Sequence, residues 1–428
     1  MLYQTINPFT EEVIKVFPEH TDAQLEEIIV KAESVYEKDW HPRTLTERKA
    51  VLKKAAAILR EKREGFAKLV TLEMGKLFRE AQAEVDLSAD ILDYYADNAS
   101  NFLATRRLQV ADGEALVESE PLGVMFCVEP WNFPYYQLAR VAGPDLMAGN
   151  VLIVKHAPNV PQCALAFEKL LKDAGAPEGA YTNVFLSNEQ AAKAVADPRI
   201  KGVALTGSER AGSAVAAEAG QALKKTTMEL GGSDAFIVLD DANIDTAVKW
   251  GIWGRMNNTG QCCVAAKRFI LQEKIADTFL HRFKKQLEAL VPGDPMDANT
   301  TLGPLCTKGA LELVLKQIQT AVDGGAKVVM GGKRLDCPGY FLEPTILTDI
   351  TPKNPAFHVE FFAPVALIFR VKNDKQAIYL ANDSPYGLGG SVITQDIERG
   401  KRLARQIETE WSSSIKRLGP RKNSRSAA

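Results

Sequence analysis

Cys263 lies in Gly260-Gln261-Cys262-Cys263, 34 residues after Glu229 in Met228-Glu229-Leu230-Gly231-Gly232. A thiol bracketed by small and polar residues can present its sulfur to a ligand. A carboxylate beside a double glycine can be approached closely by backbone or substrate. Together they are a nucleophile and a general base, the two groups needed to form and then hydrolyse a thioester. A lone pair of this kind would more often be a buried cysteine and a surface acid, so the weight falls on the segments around them. Trp131-Asn132-Phe133-Pro134, Val154-Lys155-His156-Ala157-Pro158 and Leu205-Thr206-Gly207-Ser208, with Gly212, each read as the end of a strand. Ligands lie at such ends in α/β sheets, and a helix beginning at Ser208 would aim backbone N–H groups at a phosphate. No Gly-x-Gly-x-x-Gly fingerprint occurs.

Those segments need strands and helices to hold them. Thr21 and Gln24 form a capping-box pattern, followed by Leu25, Ile28, Ile29, Ala32, Val35 and Tyr36 on one helical face. Helical pattern continues over 44–63 and 78–102. Arg107 to Val110, an Asp112-Gly113 turn and Ala115 to Val117 read as a projecting hairpin. From 122 onward, short apolar runs at 123–128, 151–154, 183–185, 202–205 and 235–239 alternate with helices, the signature of a parallel, doubly wound sheet. A second βα series begins at 268–271 and includes strands at 327–329, 364–369 and 390–393. Two α/β domains with a break near 230 are predicted.

Composition excludes several classes. With 428 residues, 25% of them charged, and a net charge of −2, the chain shows no sign of nucleic-acid or membrane-surface binding. No apolar run reaches the ~18 residues of a membrane span. The beginning of the chain lacks the basic and apolar regions of a signal peptide, so the cytoplasm is expected. Six cysteines and five histidines without ligand spacing suggest neither a disulfide framework nor a metal site.

In this order and spacing, Trp-Asn-Phe-Pro, the strand-end Lys155, Thr-Gly-Ser-x-x-x-Gly, Glu-Leu-Gly-Gly and Gly-Gln-x-Cys resemble the aldehyde dehydrogenase superfamily from about residue 5 to residue 409. Within it, Lys155-His156-Ala157-Pro158-Asn159 and Glu229-Leu230-Gly231-Gly232-Ser233-Asp234 look most like bacterial succinate-semialdehyde dehydrogenases. The resemblance implies a Rossmann-like NAD(P)-binding domain at 1–102 and 122–231, an oligomerisation arm at 103–121 and a catalytic domain at 232–410. It implies that Cys263 attacks the aldehyde, that Asn132 and the Cys263 N–H hold the oxyanion, and that Glu229 activates water. Lys155 would bind adenosine-ribose hydroxyls, and Thr206, Gly207 and Ser208 would lie by the pyrophosphate. Glu360 would hold the nicotinamide ribose, with Trp131, Leu230 and Phe362 also lining the cofactor site. Arg140, eight residues beyond Asn132, would bind a substrate carboxylate. The alternatives are a dehydrogenase for another small aldehyde, a thiol esterase or acyltransferase without redox chemistry, and an inactive product.

Departures from the family pattern carry expectations of their own. Asn257 stands where some relatives have a second arginine. Ala363 replaces a glycine and would be strained at positive φ, lowering cofactor affinity. Pro158 removes a carboxylate that would repel a 2′-phosphate, which leaves NAD and NADP both open. Residues 411–428 hold five basic residues and no acid. Back-translated with one nucleotide restored after Thr409, residues 409–415 can read Thr-Gly-Met-Val-Phe-Ile-Asn, and 422–428 can read Glu-Leu-Pro-Phe-Gly-Gly in the same frame. A frameshift is inferred. It predicts a non-family tail, a missing strand in the catalytic sheet, impaired homo-oligomer assembly and weak turnover.

Overall fold

The computed structural model describes residues 2–414. Helix Asp22–Val35 opens with the expected reciprocal capping box of Thr21 and Gln24, and Leu45–Glu61 opens with another from Thr44 and Glu47. The helical pattern over 44–63 divides at Lys62, where Arg63–Met74 begins. Helix Phe78–Phe102 buries Ala81, Val85, Ala89 and Leu92 against its neighbours. Among the described residues, no helix is long and apolar enough to cross a membrane.

Strands β1 (Tyr3–Ile6) and β2 (Val13–Phe17) form an antiparallel pair. β3 (Arg106–Leu108) and β4 (Ala115–Val117) form the predicted hairpin, with Arg106 opposite Val117. A five-stranded parallel sheet follows, built from β5 (Val124–Glu129), β6 (Val151–His156), β7 (Tyr181–Asn183), β8 (Ile200–Thr206) and β9 (Lys225–Glu229), in the order β7-β6-β5-β8-β9. β6 is buried along its whole length, as a central parallel strand covered on both faces must be.

The seven-stranded sheet contains β10 (Asp234–Val238), β11 (Ala266–Gln272), β12 (Lys327–Met330), β13 (Thr345–Thr348), β14 (Val365–Val371), β15 (Gly389–Ile393) and β16 (Trp411–Ser414), in the order β12-β13-β14-β11-β10-β15-β16. Only the β12–β13 pair is antiparallel. Its two faces bury separate apolar cores, one around Ile237, Leu305 and Leu367 and the other around Phe236, Phe269 and Phe279. The chain leaves the five-stranded sheet at Glu229 and enters the seven-stranded one at Asp234.

Three sequence expectations are corrected. β9 carries Glu229 yet gave no strand signal, because Lys225-Thr226-Thr227-Met228-Glu229 is a half-exposed edge without apolar alternation. β7 lies at Tyr181–Asn183 instead of 183–185. The strand expected to be missing after 410 is occupied: Trp411–Ser414 pairs in parallel with Gly389–Val392 of β15. Ladder bonds use backbone groups, so a serine-rich segment can form them. The remaining tail, 415–428, lies outside the described residues.

Candidate active site

The turn ahead of the cysteines is left-handed for three residues running. Asn258 (φ 54°) and Thr259 (φ 53°) are followed by Gly260 (φ 76°). For residues with a Cβ this costs on the order of 1–2 kcal/mol each, so the surroundings must hold the turn. Asn258 Nδ2 donates to the carbonyls of Asn132 (2.8 Å) and Gln261 (3.0 Å), and its backbone N–H donates to Glu80. Buried Arg255 donates to the Gly260 carbonyl at 2.6 Å, and Cys306 N–H donates to Gln261 Oε1 at 2.9 Å. A Cβ on Gly260 would lie 2.5 Å from the Ala363 carbonyl oxygen. Glycine is therefore required at 260. Ala363 is not among the residues with positive φ, so the strain expected there is absent.

Past the turn, Cys263 is the partly exposed residue of the pair and Cys262 is buried, so Cys263 is the better placed of the two to meet a ligand. The two neighbouring thiols titrate as a pair. The neighbouring thiol and Lys267 help the first proton to leave, and that same neighbour together with burial pushes the second well above the ordinary thiol value. Lys267, fully buried in β11, donates to the carbonyls of Cys262 (2.8 Å) and Cys263 (2.7 Å) and pairs with Glu360 at 2.8 Å. Gly232 N–H donates to the same Glu360 oxygen, and a Cβ at 232 would lie 2.5 Å from the Cys263 carbonyl. The Glu-Leu-Gly-Gly segment, the cysteine turn and Glu360 are thus in direct contact.

Asn132 is buried, and its Nδ2 donates to the Gln261 carbonyl at 3.2 Å. Its own carbonyl accepts from Lys76 Nζ at 2.9 Å. Lys76 and Glu84 form a buried ion pair, and Glu84 Oε1 accepts from Tyr135 N–H (2.9 Å) and Tyr136 N–H (3.3 Å). Helix Pro134–Ala148 has no side-chain cap of its own, so Glu84 serves its first turn. Trp131 and Phe362 meet edge to face at 5.7 Å.

Glu229 and Arg140 are also brought together. Arg140 Nη2 lies 3.0 Å from Glu229 Oε1, with the two side chains 19% and 18% exposed. Burial opposes the charge on Arg140, but Tyr136, Glu229 and Cys263 outweigh it and hold the guanidinium above its ordinary value. The arginine expected to await a substrate carboxylate is already bonded to the expected general base.

Of the remaining candidates, Thr206 ends β8 opposite Glu229, and Gly207 N–H donates to the Glu229 carbonyl at 2.9 Å. Ser208 caps helix Glu209–Gln221 by accepting from Ala211 N–H. Leu230 seats against Gly212. Lys155 is buried at the end of β6, where burial lowers its pKa against the opposing charge of Glu19. Asn257 closes helix Ile244–Met256. A buried ammonium, a helix N-terminus, a carboxylate and a pair of aromatic rings are the kinds of group a dinucleotide needs. Glu360 keeps Oε2 toward Gly231, with Oε1 used by Lys267 and Gly232.

Lys76, Glu84, Arg255, Asn258 and Lys267 escaped the sequence reading. A signal existed for Lys267, since Lys267-Arg268 are adjacent cations inside a strand whose other residues are almost all apolar. The others also bond partners distant in sequence: Lys76 and Asn258 the Asn132 carbonyl, Glu84 the Tyr135 N–H, and Arg255 the Val365 carbonyl.

Residues 1–411 match the model of the aldehyde dehydrogenase family. The chain is 47% identical over 407 residues to the succinate-semialdehyde dehydrogenase (NADP+) of Deinococcus radiodurans, covering 95% of this chain and 85% of that protein. It is 39% identical to an Escherichia coli succinate semialdehyde dehydrogenase (NAD(P)+), covering 94% and 87%. The crystal structure of succinic semialdehyde dehydrogenase from Streptococcus pyogenes with NADP+ superimposes with a TM-score of 0.95 at 47% identity, covering 96% and 90%.

Proposed function

Because the chain belongs to the aldehyde dehydrogenase family, we propose that it oxidises succinate semialdehyde to succinate with NAD(P)+, through a thioester on Cys263. The observation that carries this reading is the convergence of a partly exposed cysteine, a carboxylate and a mostly buried arginine on one space. The substrates named for the relatives support the choice of aldehyde.

The Cys263 thiol gives up its proton to solvent and Sγ attacks the carbonyl carbon as the thiolate, while Asn132 Nδ2 and the Cys263 N–H donate to the oxygen as it gains charge. Arg140 orients the far carboxylate. When NAD(P)+ is bound, Lys155 and Glu360 would hold its two riboses, Thr206, Gly207 and Ser208 would lie by its pyrophosphate, and Trp131, Leu230 and Phe362 would line its site. NAD(P)+, when bound, supplies the acceptor for the hydride that leaves the substrate carbon. Glu229 then takes a proton from the water that attacks the thioester, and the C–S electron pair returns to sulfur. On this reading, residues 1–102 and 122–231 bind cofactor, 232–410 carry the nucleophile, and 103–121 form an assembly arm whose function is impaired by the altered tail.

The test is NAD(P)+ reduction with succinate semialdehyde and with butanal. The charged aldehyde is expected to have the much larger kcat/KM, and Arg140→Ala should chiefly weaken that substrate. Equal values for the two aldehydes would remove the carboxylate assignment. A weakened product is a second reading. It is favoured by Glu410, whose carboxyl is pushed up by burial and by Glu229 and therefore faces the Arg140–Glu229 pair. An extra anion there opposes an acidic substrate, and Glu410→Gln should then raise kcat/KM for succinate semialdehyde.

A further inference from the structure

We propose that the carboxylate of the substrate switches on the second half-reaction by displacing Glu229 from Arg140. This inference rests on the reading above and concerns the order of events within that site. Arg140 projects from helix Pro134–Ala148, and its Nη2 is bonded to Glu229 Oε1 at 3.0 Å. The groups facing it are Tyr136, whose ring lies 5.5 Å from the guanidinium carbon, together with Cys263, Glu129, Tyr95 and Glu410. Glu129 is buried, burial pushes its carboxyl up, and neither of its oxygens hydrogen-bonds to the guanidinium. Glu229 is the carboxylate that the guanidinium holds.

A carboxylate turned toward a guanidinium has that oxygen occupied. A general base for thioester hydrolysis must instead accept from a water at the acyl carbon. Glu229 holds Arg140 Nη2, and that nitrogen belongs to each bidentate edge of a guanidinium, so a substrate acid arriving at Arg140 brings a second negative charge against Glu229 and competes with it for Nη2. The released Glu229 takes the water proton as the O–C bond forms, the C–S bond breaks and the electron pair passes to Cys263 Sγ. Acylation requires no such release. An uncharged acyl group should therefore load onto Cys263 and leave the Arg140–Glu229 bond closed.

The two steps separate without cofactor. The 428-residue chain is mixed with p-nitrophenyl hemisuccinate or p-nitrophenyl butyrate; the nitrophenolate burst reports acylation and the steady phase reports deacylation. Both esters should give a burst. The succinyl enzyme should turn over about tenfold faster or more, the scale of one charge-assisted hydrogen bond. Propionate should accelerate the butyryl enzyme in a saturable way, and Arg140→Gln should erase both differences. The propionate arm uses the unaltered chain, so it decides even where Arg140→Gln fails to fold. Equal deacylation of the two acyl groups, or no propionate effect, overturns the inference while leaving the proposed function standing. Equal acceleration of Glu229→Gln by propionate also overturns it, because propionate would then be acting as the base. No burst with either ester, together with no NAD(P)+ reduction, overturns the proposed function itself.

Discussion

At Cys263, the proposed nucleophile, the backbone is held by residues that need not touch substrate. Lys267 is a fully buried ammonium, which would cost several kcal/mol if left unpaired, yet it has three acceptors in Cys262 O, Cys263 O and Glu360. One side chain thereby fixes the carbonyls on either side of the thiol and the carboxylate assigned to the nicotinamide ribose. The chemistry divides between two other groups. Cys263→Ala should abolish both dehydrogenase and esterase turnover, since no covalent adduct can form. Glu229→Gln should still acylate, giving one equivalent of reduced cofactor followed by slow turnover. Rapid-mixing absorbance distinguishes these outcomes, and normal steady-state turnover in Glu229→Gln would assign the base elsewhere.

Among the elements, Glu73 ties together two helices and a strand. It ends helix Arg63–Met74, accepts from Thr5 Oγ1 of β1 at 2.5 Å, and accepts from Gln162 and Cys163 N–H, both at 2.9 Å, in the first turn of helix Pro161–Ala174. Burial pushes its carboxyl up to about 6 despite those donors. A carboxyl whose folded pKa lies above its unfolded value binds more protons when folded. Its stabilising contribution is therefore complete below the unfolded value near 4.5 and is lost as pH rises through about 6. A shift of this size corresponds to about 2 kcal/mol. Glu73→Gln should flatten the decline in denaturation midpoint between pH 4.5 and 7. It should also lower stability overall, because an amide offers one acceptor fewer to the helix N–H groups. Parallel pH profiles for the two proteins would refute the assignment.

For the whole molecule, the hairpin β3–β4 is the conspicuous unfinished surface. Leu108, Leu116 and Val117 are 41%, 50% and 40% exposed, more apolar area than an isolated ribbon of this length can cover. A second copy is the proposed cover. At the opposite end of the chain, β16 forms the edge of the seven-stranded sheet, and Trp411 lies against Gly389. The sheet is extended there by backbone pairing with β15, with serines where the family pattern would place apolar residues. Impaired assembly is therefore expected in sedimentation or light scattering, with small or mixed species. On the proposed frameshift, a variant with one nucleotide restored after the Thr409 codon should shift the distribution to a single oligomer. A homogeneous tetramer of the 428-residue chain would contradict the expectation.

The sequence by itself determined the α/β class, the capped helices, most strands of both sheets and the candidate residues, because these depend on local periodicity, caps and short motifs that one chain displays openly. Glu229, Cys263 and Asn132 were legible for that reason, even where the strand carrying Glu229 was not. Tertiary structure decided what those residues touch. Arg140 and Glu229 lie 89 positions apart, as do Glu73 and Gln162, and Lys76 lies 56 from Asn132. No local pattern encodes which buried cation meets which carboxylate. The same distinction governs the tail. Its side chains depart from the family pattern in sequence, yet ladder hydrogen bonds require only N–H and C=O groups in register, and the edge of β15 accepts Trp411–Ser414 on those terms.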